Sequence, residues 1–84
     1  MFVVIARDNM GEDSVTRDIE SIQAAEDLAQ KLQVTDNHMV CVDAASGERL
    51  KRWDRTRYVG ENEWQEVDTY EMEVLGPIRK IYRG

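Results

Sequence analysis

One stretch of this chain reads most clearly as a helix, and it is too short to stand alone. In "SIQAAEDLAQKLQ", Ser21 to Gln33, apolar residues recur at Ile22, Ala25, Leu28 or Ala29, and Leu32. That is the spacing of one face of an α-helix. Glu26, Asp27, Gln30 and Lys31 fill most of the remaining circumference, and Asp27 and Lys31 stand four apart as a candidate ion pair worth roughly 0.2–0.5 kcal/mol. Ser21 fits the N-cap position, where a hydroxyl accepts from an orphan amide of the first turn. A helix of about three turns is marginal in water and needs an apolar surface to cover. Everything else in the sequence has to supply that surface.

It does so as strands. "MFVVIA" is a continuous apolar run rich in β-branched residues, the pattern of a central strand. "RDNMGED" supplies turn residues, and "SVTRDI" alternates with Val15, Arg17 and Ile19 on one face. An antiparallel hairpin follows. After the helix, "VTDN" is a break and "HMVCVDA" a strand, with Val40 and Val42 on one face and Met39 and Cys41 on the other. "ASGE" is a turn, in which Gly47 can supply positive φ, and "RLKRWDRTRY" is the returning strand. Leu50 and Trp53 differ in parity there, so either both faces are covered or a bulge intervenes.

Residues 61–75 read two ways. Tyr70, Met72 and Val74 alternate with Glu71 and Glu73, which favours a strand over Thr69–Leu75, while Trp64, Val67, Tyr70 and Val74 also approximate a helical face. The sequence therefore predicts a single α+β domain over residues 1–84: an antiparallel sheet of four or five strands with one amphipathic helix, in the order β-β-α-β-β-β, the last element being the open one.

Eighty-four residues bury roughly 60% of their unfolded surface, which makes a homodimer or a stabilising partner a reasonable expectation. The lone cysteine, Cys41, permits no internal disulfide, and the opening apolar run is too short for a membrane span or a signal-peptide core. A cytoplasmic protein is expected. Neither chemistry nor cofactor is anticipated. In a strand, His38 and Cys41 point to opposite faces, which splits any metal site that Asp36 and Asp43 would complete. Cys41 between Val40 and Val42 has the setting of a buried hydrophobe. The serines lack a nucleophile-elbow context, and the five glycines are isolated, so no phosphate-cradling loop exists.

What remains is charge. The formal net charge is −6, which disfavours phosphate backbones as partners. Six acids and no basic residue lie between Gly60 and Gly76, just after five basic residues in Arg49–Arg57. The first expectation is a non-enzymatic protein-interaction module. Glu61, Glu63, Glu66, Asp68, Glu71 and Glu73, joined by Asp8, Glu12, Asp13, Asp18 and Glu20 from the hairpin, would form one negative surface with Trp64 and Tyr70 as anchors. Its partner would be a basic, nucleic-acid-handling protein. In general character alone, with no motif to carry across, such a chain is similar to small phage-encoded inhibitors such as anti-CRISPR proteins and DNA mimics. Two alternatives stand beside it. Arg49, Lys51, Trp53, Arg55 and Arg57 share parity in a regular strand and could follow a nucleic-acid backbone. Alternatively, the opposite blocks pair across strands or across the interface of a structural homodimer.

Overall fold

A computed structural model describes residues 1–55 and 63–67. The element order is β1 (Phe2–Asp8), β2 (Asp13–Ile19), α1 (Ile22–Lys31), β3 (Asn37–Ala44), β4 (Arg49–Arg55) and β5 (Trp64–Glu66). The strands form one antiparallel sheet in the order β2-β1-β3-β4-β5. This is the α+β architecture expected. The apolar opening run is flanked by β2 and β3, while β2 and the short β5 are the edges of the sheet among the described residues. The expected strand over Thr69–Leu75 lies outside the described residues. The fifth strand of the described sheet is Trp64–Glu66.

The helix covers one face. Ser21 is its N-cap, with its Oγ accepting from the Ala24 amide at 3.1 Å. Ala25 and Ala29 are fully buried against Val4, Ala6, Val40 and Val42. Alanine at both contact positions lets the helix backbone come close to the sheet, since the approach of packed elements is set by the side chains between them. Phe2, Ile19, Leu28, Leu32, Trp53 and Trp64 close the margin of this core. Ile22, expected on the apolar face, is 38% exposed because it stands at the open start of the helix. The expected Asp27–Lys31 pair does not form. Asp27 accepts from Gln23 Nε2 at 3.0 Å, one turn back.

Three irregularities decide which side chains reach that face. Between Thr16 and Ile19 the β1–β2 register slips by one residue. Asp18 takes φ +61° there, a left-handed conformation. The slip rotates Ile19 into the core beside Phe2, and Val15 stays on the opposite face at 44% exposed. The simple alternation of Val15, Arg17 and Ile19 is thereby broken, as a bulge does. A second slip, beside His38, separates the Arg7↔Met39 and Asp8↔Asn37 pairs. The third falls between Lys51 and Arg49, leaving Leu50 as the extra residue. It accounts for the parity conflict of Leu50 and Trp53.

Candidate protein-docking edge

β4 presents two faces with different work. Lys51, Trp53 and Arg55 share the helix side with Val40 and Val42. Trp53 packs on the core, and Lys51 Nζ meets Glu26 Oε2 of α1 at 2.8 Å. That contact raises the Lys51 pKa above the ordinary lysine value, Glu66 adding a weaker Coulombic pull. Arg55 donates Nε–H to the Asn37 carbonyl at 2.8 Å and Nη2–H to Asn9 Oδ1 at 2.9 Å.

Asp43, Arg49, Arg52 and Asp54 occupy the other face. Arg49 makes a two-pronged pair with Asp43 at 2.9 and 3.1 Å, and Arg52 makes one with Asp54 of its own strand at 2.9 and 3.3 Å. Farther along the same face Arg7 grips Asp13 at 2.7 and 3.2 Å. Arg7 and Arg49 are held above the ordinary arginine pKa by these carboxylates, and Asp13 is held below the ordinary carboxylate value by Arg7. Beneath this layer sits Cys41, 0% exposed, with Arg52 directly opposite it in the register. Burial pushes the thiol up to about 11 despite the nearby cations. An arginine lays its methylene stem over apolar surface while its head stays wet, so the sheet face opposite α1 can bury Met39 and Cys41 beneath it.

Of the basic row expected along β4, Lys51, Trp53 and Arg55 keep a common face, but Arg49 leaves it and none of these three side chains is idle. The slip at Leu50 moves Arg49 to the far face, Trp53 goes into the core margin, and Lys51 and Arg55 are engaged within the chain. Arg57 lies outside the described residues. Of the expected pairing between the basic and acidic blocks across strands, the described residues show one weak instance, the Coulombic attraction of Glu66 for Lys51; Glu61, Asp68, Glu71, Glu73 and Arg57 lie outside them. The β4 cations that form ion pairs take Asp43, Glu26 and Asp54. The Arg–Asp layer was legible only in part. Arg7/Asp13 and Asp43/Arg49 are each six residues apart across a hairpin turn, and Arg52 and Asp54 share strand parity.

The acids are distributed differently from the single surface predicted. β5 places Trp64 opposite Arg55 and Glu66 opposite Trp53. Trp64 is half-buried at the core margin rather than free among the acids, and its Nε1–H has no acceptor among the described residues. Glu63 and Glu66 are exposed, with no cation of the chain in contact among the described residues. Glu61, Asp68, Tyr70, Glu71 and Glu73 lie outside the described residues. Of the hairpin acids, Asp8 ends β1, and those on β2 are four strand spacings from β5, roughly 19 Å. They are also split among themselves. Asp8 is occupied by the turn, its Oδ1 accepting from the Met10 and Glu12 amides, each at 2.9 Å. Asp13 is paired with Arg7, and Asp18 and Glu20 lie at the opposite end of β2 from Glu12. The β5 edge and the β2 edge are thus two separate surfaces.

Among the described residues no three His, Cys, Asp or Glu side chains are grouped to hold a metal ion, and no helix is long and apolar enough to cross a membrane. The family model described as plasmid conjugative transfer protein PilI matches residues 1–79.

The chain belongs to the PilI family.

No curated protein and no solved structure matches it. The PilI match covers every described element, from β1 to β5, and makes this a conjugation-related small protein. It lends the phage-inhibitor and anti-CRISPR expectation no support.

Proposed function

We propose that this PilI-family chain is a non-enzymatic adaptor of plasmid conjugative transfer, docking a basic protein surface through the acidic edge that begins at β5. The supporting observation is the contrast between β4 and β5. Arg49, Lys51, Arg52 and Arg55 of β4 are all engaged within the fold, while Glu63 and Glu66 stand exposed and enter no ion pair among the described residues, Glu66 feeling only the weaker pull of Lys51. Exposed carboxylates outside any ion pair project a field that speeds encounter with a cationic partner. The rest of the block, Glu61, Asp68, Glu71 and Glu73, extends the same negative run in sequence, with Trp64 and Tyr70 as its aromatic members. The cytoplasm is the proposed compartment, in keeping with a sequence that offers one thiol and that one buried.

The test replaces Glu61, Glu63, Glu66 and Asp68 by Lys in the plasmid-borne copy. The expected outcome is a loss of mating transfer of at least tenfold, together with loss of co-purification of a basic plasmid-encoded protein that the wild type retains. Circular dichroism and melting temperature should stay close to wild type. Transfer and co-purification at wild-type levels in that variant would remove the β5 edge from consideration.

A further inference from the structure

The opposite edge of the sheet carries its own information. β2 is exposed from Asp13 to Asp18, and among the described residues no strand lies beyond its outer backbone donors and acceptors. Asp13, Val15 and Arg17 face the side of the sheet away from the helix, following their partners Arg7 and Ile5 and, by continuation of the register, Val3. Arg17 is exposed and, among the described residues, takes no ion pair. Val15, 44% exposed, sits midway between Asp13 and Arg17.

This pattern is self-complementary. In an antiparallel pair of two β2 strands centred on Val15, Val15 meets its own copy, Ser14 meets Thr16, and Asp13 of each chain, which Arg7 of its own chain also holds, meets Arg17 of the other. One apolar contact lies on the two-fold axis with two opposite-charge pairs around it, all of them favourable cross-strand combinations. Moving the centre by half a residue, between Val15 and Thr16, sets Asp13 against Asp18. Centring on Thr16 sets Val15 against Arg17 and loses both charge pairs. The bulge at Asp18 ends the regular edge where the favourable register ends. A bulge and a charged residue on an edge discourage unrestricted strand addition, so the pairing stops at five residues per chain.

We infer that the β2 edge pairs with β2 of a second copy of this chain, about a two-fold axis at Val15, joining two five-stranded sheets into one. The interface is separate from the β5 edge and would stand if the adaptor reading fell.

Purified full-length protein tests this by sedimentation equilibrium at 150 mM salt, from 10 µM to 1 mM. The expected result is a reversible dimer. Val15→Lys places two ammonium groups on the axis and Arg17→Asp sets two aspartates against Asp13, so each is expected to be monomeric over the range with an unchanged circular dichroism spectrum. Glu66→Lys on the other edge should leave the dimer intact. Cross-linking reads the register directly. Residues directly opposite have Cα atoms about 4.5–5.5 Å apart, within disulfide reach. Val15→Cys should therefore oxidise to a covalent dimer, while Thr16→Cys, offset by two positions and about 8 Å from its copy, should not. A wild-type monomer at 1 mM overturns the inference. So does a dimer that survives both edge variants, or one that cross-links through position 16 and not through 15.

Discussion

Two residues are held in states that their side chains alone would not choose. Asp18 adopts φ +61° so that Ile19 can enter the core. Aspartate tolerates the left-handed region better than most residues, glycine tolerates it freely, and β-branched side chains scarcely at all. Asp18→Gly is expected to hold or raise stability by up to ~0.5 kcal/mol, and Asp18→Val to lower it by about 1–2 kcal/mol. Urea melts of the two variants side by side check the ordering. Cys41 is the other case. Its thiol pKa is raised from 9.0 to about 11 by burial. The folded state therefore keeps a proton that the unfolded state gives up between those values, so stability falls as pH rises through that window. The slope approaches ~1.4 kcal/mol per pH unit within it. Denaturant midpoints from pH 8 to 11 should fall for wild type and fall less for Cys41→Ala. At pH 8 the native thiol should resist a disulfide reagent that labels it at once in urea, since thiolate and access are both withheld.

At the scale of the element, the helix depends on its cap and on two alanines. Ser21→Ala removes the acceptor for the Ala24 amide and is expected to cost about 1 kcal/mol. Ala29→Leu inserts a branched side chain where helix and sheet touch, and is expected to cost about 1–3 kcal/mol. Thermal melts check both, and Ala29→Leu should be the larger loss. In β4 the critical pair is Arg49 with Asp43, whose side chain is 11% exposed. Arg49→Met keeps the stem and strips the partner from a buried anion, with an expected cost of roughly 2–3 kcal/mol. Adding Asp43→Asn should recover part of it, because the anion then no longer needs a cation. A double-mutant cycle measures the coupling; simple additivity of the two changes would mean that the pair does not act as one.

The whole molecule has an imbalance that its ion pairs leave standing. The net charge is −6, and the four ion pairs among the described residues consume cations without reducing that excess. Self-repulsion of this kind is screened by salt over a Debye length near 10 Å at 0.1 M. The melting temperature is expected to rise by about 2–6 °C between 10 and 500 mM sodium chloride, a gain of order 0.5–1 kcal/mol for a domain of this size. Differential scanning calorimetry at constant protein concentration reads it. A fall with salt would mean that the Arg–Asp layer outweighs the repulsion, and that the exposed acids contribute little field for a partner to use.

Local pattern was enough to place the helix, its cap, the hairpin, β1 as an inner strand and the α+β class. Helical and strand periods, a capping serine and turn glycines act within a few residues, so the chain encodes them where they stand. Even the slip at Leu50 showed in the parity conflict with Trp53. The neighbours of each charge were settled only by tertiary structure. The strand order sends the β2 acids and the β5 acids to opposite edges, and single-residue slips at Asp18 and Leu50 turn Ile19 and Arg49 to faces that strict alternation denies them. Electrostatic partners are chosen by distance through space, and one extra residue in a strand reverses every side chain beyond it. A sequence read along its length therefore fixes which charges exist, and the folded sheet fixes which of them remain for another molecule to meet.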